Sequence, residues 1–85
     1  MSQSLAGPAL TPEGVVFTVT TLDFERRRCL ISKEALAGLA PHQAGQFGPL
    51  EIFQAFEARI CGVARRMVAA RVQGNPLLLE SRSFR

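Results

Sequence analysis

The chain has 85 residues, of which 47% are hydrophobic and 20% charged, and its formal net charge at pH 7 is +3. This length permits one domain, and the hydrophobic fraction excludes a disordered or low-complexity chain. No apolar run approaches the roughly 18 residues that a membrane-spanning helix needs. Residues 1–4 have neither a basic residue nor a following apolar stretch, so they do not resemble a secretory signal. We therefore expect a small globular domain in the cytoplasm, with no membrane partner.

The basic residues are nearly all arginines, nine of ten. The guanidinium group binds phosphate and carboxylate bidentately, so an excess of arginine can indicate anion recognition. A net charge of +3 nevertheless lies within the range of ordinary small soluble domains. The composition alone therefore favours a solvated surface over a nucleic-acid-binding face.

The chain divides into a short lead-in and one domain. Residues 1–14 contain Pro8, Pro12 and two glycines among small polar residues, which is typical of a flexible lead-in. The remaining residues, 15–85, carry the regular hydrophobic patterns. We predict that they form a single α+β domain.

Two strands are predicted at the start of this domain. Val15–Thr20 alternates apolar and polar residues, the period-two pattern of a strand with one wet face. Asp23 is suited to a turn, and 26–31 then pairs back antiparallel. This pairing would place Cys29 and Ile31 on the core face with Phe17 and Val19, and Arg26 and Arg28 on the outer face.

Two helices and a third strand are predicted to follow. Ser32 is a good N-cap for a short helix that Pro41 ends. From Pro49 to about Val72, apolar residues recur every three or four positions, which predicts one long amphipathic helix. At 1.5 Å per residue it would span roughly 36 Å, so either it bends at Gly62 or one end overhangs. Leu77–Leu79 reads as the last strand.

The predicted fold class is therefore α+β with the order β-β-α-α-β. A small three-stranded antiparallel sheet would be covered on one face by the long C-terminal helix, with one short helix beside it. The apolar stripe of the long helix would supply most of the core.

No catalytic constellation is visible in the sequence. Asp23 is the only aspartate, and His42, the only histidine, lies in a loop that contains proline and glycine. A dyad of His42 with Cys29 or Cys61 would be needed for thiol chemistry, and nothing in the spacing favours it. The two cysteines have apolar neighbours and are expected to be reduced thiols. We predict no enzymatic activity, no cofactor and no metal, since structural zinc needs four ligands.

Arginines define the predicted interaction surface. Two lie on the predicted strand and three on the long helix, where positions seven apart project from one side. These candidates are Arg26, Arg28, Arg59, Arg65 and Arg66. Along the predicted helix, acidic residues come first and basic residues follow. This order complements the helix macrodipole, so the arginines also have a purely structural explanation.

Two segments carry a family resemblance. The run Val15-Val16-Phe17, followed by the eight residues from Cys29 to Leu36, resembles small bacterial proteins of the family known as domain of unknown function 1488. The similarity covers about residues 14 to 84 and includes a long C-terminal helix and a final short strand. One departure is Phe24, which follows Asp23 where such turns commonly have glycine. The resemblance implies this element order and a bacterial cytoplasmic setting, and it brings no catalytic residues.

Three functional hypotheses remain. The first is a non-enzymatic interaction or regulatory module that binds another protein or itself as a homodimer. The second is a weak, salt-dependent nucleic-acid binder that uses its surface arginines. The third is a small-molecule or thiol enzyme that depends on His42 and the cysteines.

Overall fold

The computed structural model describes residues 8–21, 23–41 and 46–84, and this part of the chain has an α+β fold. His42 and residues 1–7 lie outside it. The described residues form four strands, three α-helices and a final 3₁₀ turn. In chain order these are β1 (Ala9–Thr11), β2 (Gly14–Thr20), β3 (Arg26–Ser32), α1 (Lys33–Leu39), α2 (Pro49–Ala55), α3 (Glu57–Ala69), β4 (Leu77–Leu79) and the 3₁₀ turn (Ser81–Phe84).

The strands form one sheet in the order β1-β2-β3-β4. The pairs β1–β2 and β2–β3 are antiparallel, whereas β3 and β4 are parallel. The prediction of a three-stranded antiparallel sheet is therefore wrong in strand number and in the direction of the last strand. Parallel neighbours need a long crossover connection, and here the chain between β3 and β4 contains all three helices.

The extra strand, β1, comes from the segment predicted as a flexible lead-in. Ala9–Thr11 pairs with Gly14–Val16 across a tight turn. The Thr11 hydroxyl accepts hydrogen bonds from the backbone N–H groups of Glu13 (3.3 Å) and Gly14 (3.2 Å). A threonine hydroxyl can close a turn in this way, so Pro12 does not prevent pairing.

The β2–β3 hairpin is antiparallel and has the predicted faces. Phe17 lies opposite Cys29, and Val15 lies opposite Ile31, on the side that the helices cover. On the other side, Arg26 and Arg28 are exposed. The two-residue side-chain period of a strand explains why the three consecutive arginines divide between the faces.

The turn of this hairpin holds Phe24 in a left-handed conformation, φ 62°. Its backbone N–H donates to the Thr21 carbonyl (2.9 Å), and the Thr21 N–H donates to the Glu25 carbonyl (2.8 Å). The turn closes although phenylalanine stands where glycine would be unstrained. The phenyl ring is 88% exposed.

Helix α1 begins as predicted. The Ser32 hydroxyl accepts a hydrogen bond from the Ala35 backbone N–H at 3.1 Å, and Glu34 lies in the first turn. This is the usual N-cap arrangement, because it satisfies a backbone donor that has no partner inside the helix. The helix ends at Leu39, two residues before Pro41.

The predicted long helix is two helices, and the break is at Phe56. There the backbone leaves helical geometry (φ −114°, ψ 20°), and the Phe56 N–H is shared between the carbonyls of Ile52 and Phe53. Gly62 lies within α3, which is uninterrupted from Glu57 to Ala69. The break removes the overhang expected of one helix of roughly 36 Å, because α3 alone spans about 20 Å. The molecule measures 37 × 35 × 21 Å.

The core lies between one face of the sheet and the helices. Both α2 and α3 contribute, and the rings of Phe17 and Phe53 are 4.9 Å apart between centroids. Each large apolar side chain buried here contributes roughly 1.5–3 kcal/mol. The largest fully buried residues are Phe53, Ile31, Leu36, Ile60, Leu77, Leu79, Val15, Val19 and Cys29.

Candidate interaction surfaces

The outer face of the sheet carries a row of apolar side chains. The register aligns Ala9 with Val16, Val16 with Leu30, and Leu30 with Leu78 across all four strands. Helices pack on the opposite face, so this row stays accessible, and Leu78 is 44% exposed. We call these four residues the apolar row.

Charged residues of opposite sign lie on either side of the apolar row. Towards the hairpin, the next positions on β3 are Arg28 and Arg26, opposite Thr18 and Thr20. Away from the hairpin, a shallow cavity of about 460 Å³ is lined by Ser32, Glu34, Leu78, Glu80, Ser81 and Arg82. Arg82 pairs with Glu80 at 3.0 Å. The outer face therefore has basic residues near the hairpin and, at the far end, two carboxylates with one guanidinium, which leaves Glu34 outside the ion pair.

Arg65 and Arg66 lie elsewhere, on the C-terminal half of α3. They line a groove of about 780 Å³ between this helix and the hairpin. The same groove includes a third arginine, Arg71, which the sequence had not nominated. The remaining lining residues are Thr20, Thr21, Asp23, Val68 and Ala69.

Arg59 is separate from the other candidates. It lines a different cavity, of about 390 Å³, with Ala35, Gly38, Leu39, Ser81 and Phe84. The seven-residue spacing of Arg59 and Arg66 thus does not bring them into one site. The five nominated arginines fall on three surfaces: the outer sheet face, the groove and the cavity beside α1.

The topology also separates charge along the molecule. Among the described residues, the hairpin end collects six arginines against two carboxylates, Asp23 and Glu25, whereas Glu34 and Glu80 lie at the far end. The arginines near the hairpin are Arg26, Arg27, Arg28, Arg65, Arg66 and Arg71. A separation of this kind steers partners and orients them, because opposite potentials attract.

The thiols are not activated for chemistry. Burial raises the pKa of Cys29 to about 11, and the nearby Arg27 only partly offsets this rise. Burial and Glu57 raise the pKa of Cys61 as well, and both cysteines are free. Since the thiolate is the nucleophile, raised pKa values lower the thiolate fraction of both cysteines at neutral pH.

The described residues offer no ready place for a metal or for an anion at a helix start. Within them, no three His, Cys, Asp or Glu side chains are grouped to hold a metal ion. At the start of α2, the Gly48 backbone N–H already donates to a Glu51 carboxylate oxygen at 2.9 Å. No helix in this part of the chain is long and apolar enough to cross a membrane.

Comparison with known proteins assigns no class to this chain. No protein-family model, no curated protein and no solved structure gives a significant match. The function is therefore inferred from the surfaces described above.

Proposed function

We propose that this protein is a non-enzymatic interaction module that associates with a second copy of itself through the outer face of the sheet. The observation that carries this proposal is the apolar row, which no helix of the described residues covers and which lies between Arg28 on one side and Glu34 on the other. An apolar strip with a charged rim is the usual anatomy of a protein interface.

The charges select one arrangement of the two copies. A two-fold axis along the apolar row makes the strands of the partners antiparallel, so the basic side of each copy covers the acidic side of the other. Arg28 then lies over the end that carries Glu34 and Glu80. Leu30 and Leu78 lie near their own counterparts, as expected for an isologous contact.

The size of the face predicts a weak dimer. Strands about 4.8 Å apart, with about 3.3 Å per residue, give a face of roughly 320 Å² for four strands of these lengths. This is less than half of the roughly 800 Å² that each partner buries in a standard interface. We therefore expect association in the micromolar range, with rapid exchange.

The test is sedimentation velocity from 5 to 500 μM protein. We expect a concentration-dependent dimer, and at least tenfold weaker association for Leu78→Glu, because the substitution brings two carboxylates together near the axis. Leu10→Glu is the matched control, since Leu10 is also exposed but points to the helix-covered side of the sheet at its edge. A strict monomer at every concentration contradicts the proposal.

A charge reversal tests the arrangement separately. We expect Arg28→Glu to weaken the dimer and Glu34→Arg in the same chain to restore it, with circular dichroism checking that both variants fold. Failure of the second change to restore association would overturn the antiparallel arrangement.

Nucleic-acid binding is the second candidate, and the cluster of six arginines at the hairpin end favours it. Such a contact depends on phosphate neutralisation, so its affinity falls steeply with salt. Fluorescence anisotropy with mixed-sequence DNA and RNA at 20 and 200 mM salt measures this. Absence of binding at 20 mM salt excludes the candidate. Membership of the domain of unknown function 1488 family stays a prediction and names no ligand.

A further inference from the structure

The groove between the hairpin and α3 is a surface distinct from the outer sheet face. We propose that it binds an acidic peptide segment of a partner protein, with the guanidinium groups of Arg65, Arg66 and Arg71 receiving its carboxylates. The volume of about 780 Å³ lies within the range of small-ligand pockets.

The charge of the groove is available to a ligand. Among the described residues, the one ion pair within 4 Å joins Arg82 and Glu80, far from the groove. Three exposed guanidinium groups thus face a single carboxylate, that of Asp23. Guanidinium forks bind carboxylates bidentately, which gives both attraction and orientation.

The backbone of Arg71 gives a second reason. Arg71 is the left-handed residue that closes α3, with φ 63°. Its N–H donates to the Val68 carbonyl, and the Val72 N–H donates to the Met67 carbonyl, each at 3.0 Å. This closing pattern normally uses glycine, which adopts the conformation without strain. An arginine here costs the helix stability, so we infer that its side chain serves the groove.

The lining favours a peptide over nucleic acid. It has no aromatic ring on which a base could stack. The Asp23 carboxylate can accept hydrogen bonds from backbone N–H groups, which a peptide has and a phosphodiester backbone lacks. Val68 and Ala69 provide a small apolar surface for an aliphatic side chain. The three features together match a segment that alternates carboxylates with an aliphatic residue.

The experiment measures anisotropy of a fluorescein-labelled acidic peptide, Glu-Glu-Leu-Glu-Glu-Leu, at 50 mM salt. We expect saturable binding that Arg71→Gly weakens at least fivefold while raising the thermal midpoint, because glycine relieves the backbone strain. Arg59→Ala removes one positive charge from α3 outside the groove and should leave the affinity within twofold.

Two outcomes overturn the proposal. One is unchanged peptide affinity in Arg71→Gly, which would assign Arg71 a purely structural role. The other is tighter binding of a fluorescein-labelled ten-nucleotide thymidine strand than of the peptide, which would make the groove a nucleic-acid site. Leu78→Glu should bind the peptide normally, so failure of the dimer and failure of the groove are distinguishable.

Discussion

The two faces of one sheet differ in what they do, although they alternate along the same strands. On the inner face, Val15, Phe17, Cys29 and Ile31 are almost completely buried against the helices. On the outer face, Val16 and Leu30 are only partly covered and Leu78 is exposed. Because side chains alternate along a strand, neighbouring residues lie on opposite faces and have different roles. Folding depends on one set, and the other set is free to contact partners.

The largest expected effect comes from removing a helix side chain that covers the inner face of the sheet. Phe53→Ala removes a fully buried ring that packs against Phe17. It should lower the free energy of unfolding by about 3–5 kcal/mol, through lost burial and the cavity left behind. Urea denaturation followed by circular dichroism measures the change. A loss below about 1 kcal/mol would show that the inner face is not the core.

A matched pair of substitutions compares the faces directly. Val15→Thr and Val16→Thr make the same chemical change at adjacent positions, one buried and one partly exposed. We expect Val15→Thr to cost about 1–3 kcal/mol, because it buries a hydroxyl, and Val16→Thr to cost less than about 1 kcal/mol. Equal losses in urea denaturation would contradict the division between faces.

The smallest expected effect is a pH dependence that belongs to the inner face. Burial raises the pKa of Cys29 from 9.0 to about 11, so the unfolded chain loses this proton first as the pH rises. Stability from this group is present below pH 9 and is lost between pH 9 and 11, by about 1–2 kcal/mol. The chain has no tyrosine and one lysine, so few other groups titrate there.

Denaturation at pH 8, 9, 10 and 11 checks this slope. Cys29→Ala is the control, since removing the thiol should reduce the slope over the same interval to the part that Cys61 contributes, even though it lowers stability overall. A wild-type profile that stays flat to pH 11 would contradict the burial of Cys29.

Local patterns predicted the hairpin and α1 well. The alternation in Val15–Thr20 identified the buried face of β2, and Ser32 marked the start of α1. Both signals are short-range, because adjacent residues decide which side chains of a strand share a face and how the first turn of a helix is capped. The separation of Arg26 and Arg28 from the core followed from the same rule.

Long-range features were not accessible in this way. Nothing in Leu77–Leu79 distinguishes a parallel from an antiparallel strand. The direction of this strand depends on which end of the sheet the chain reaches after the helices. The apolar spacing continues through Phe56, so periodicity does not reveal the break between α2 and α3. The groove was missed for the same reason: Arg71 and Asp23 are 48 positions apart, and only the fold brings them together.

The parallel pairing of β4 has a consequence for synthesis. Until residue 79 has left the ribosome, the Cys29–Ile31 segment of β3 has no neighbour on that side. A nascent chain in this state presents an open strand edge, which invites aggregation with other chains. The three late leucines close this edge only once they have emerged, because they pair with a segment made nearly fifty residues earlier.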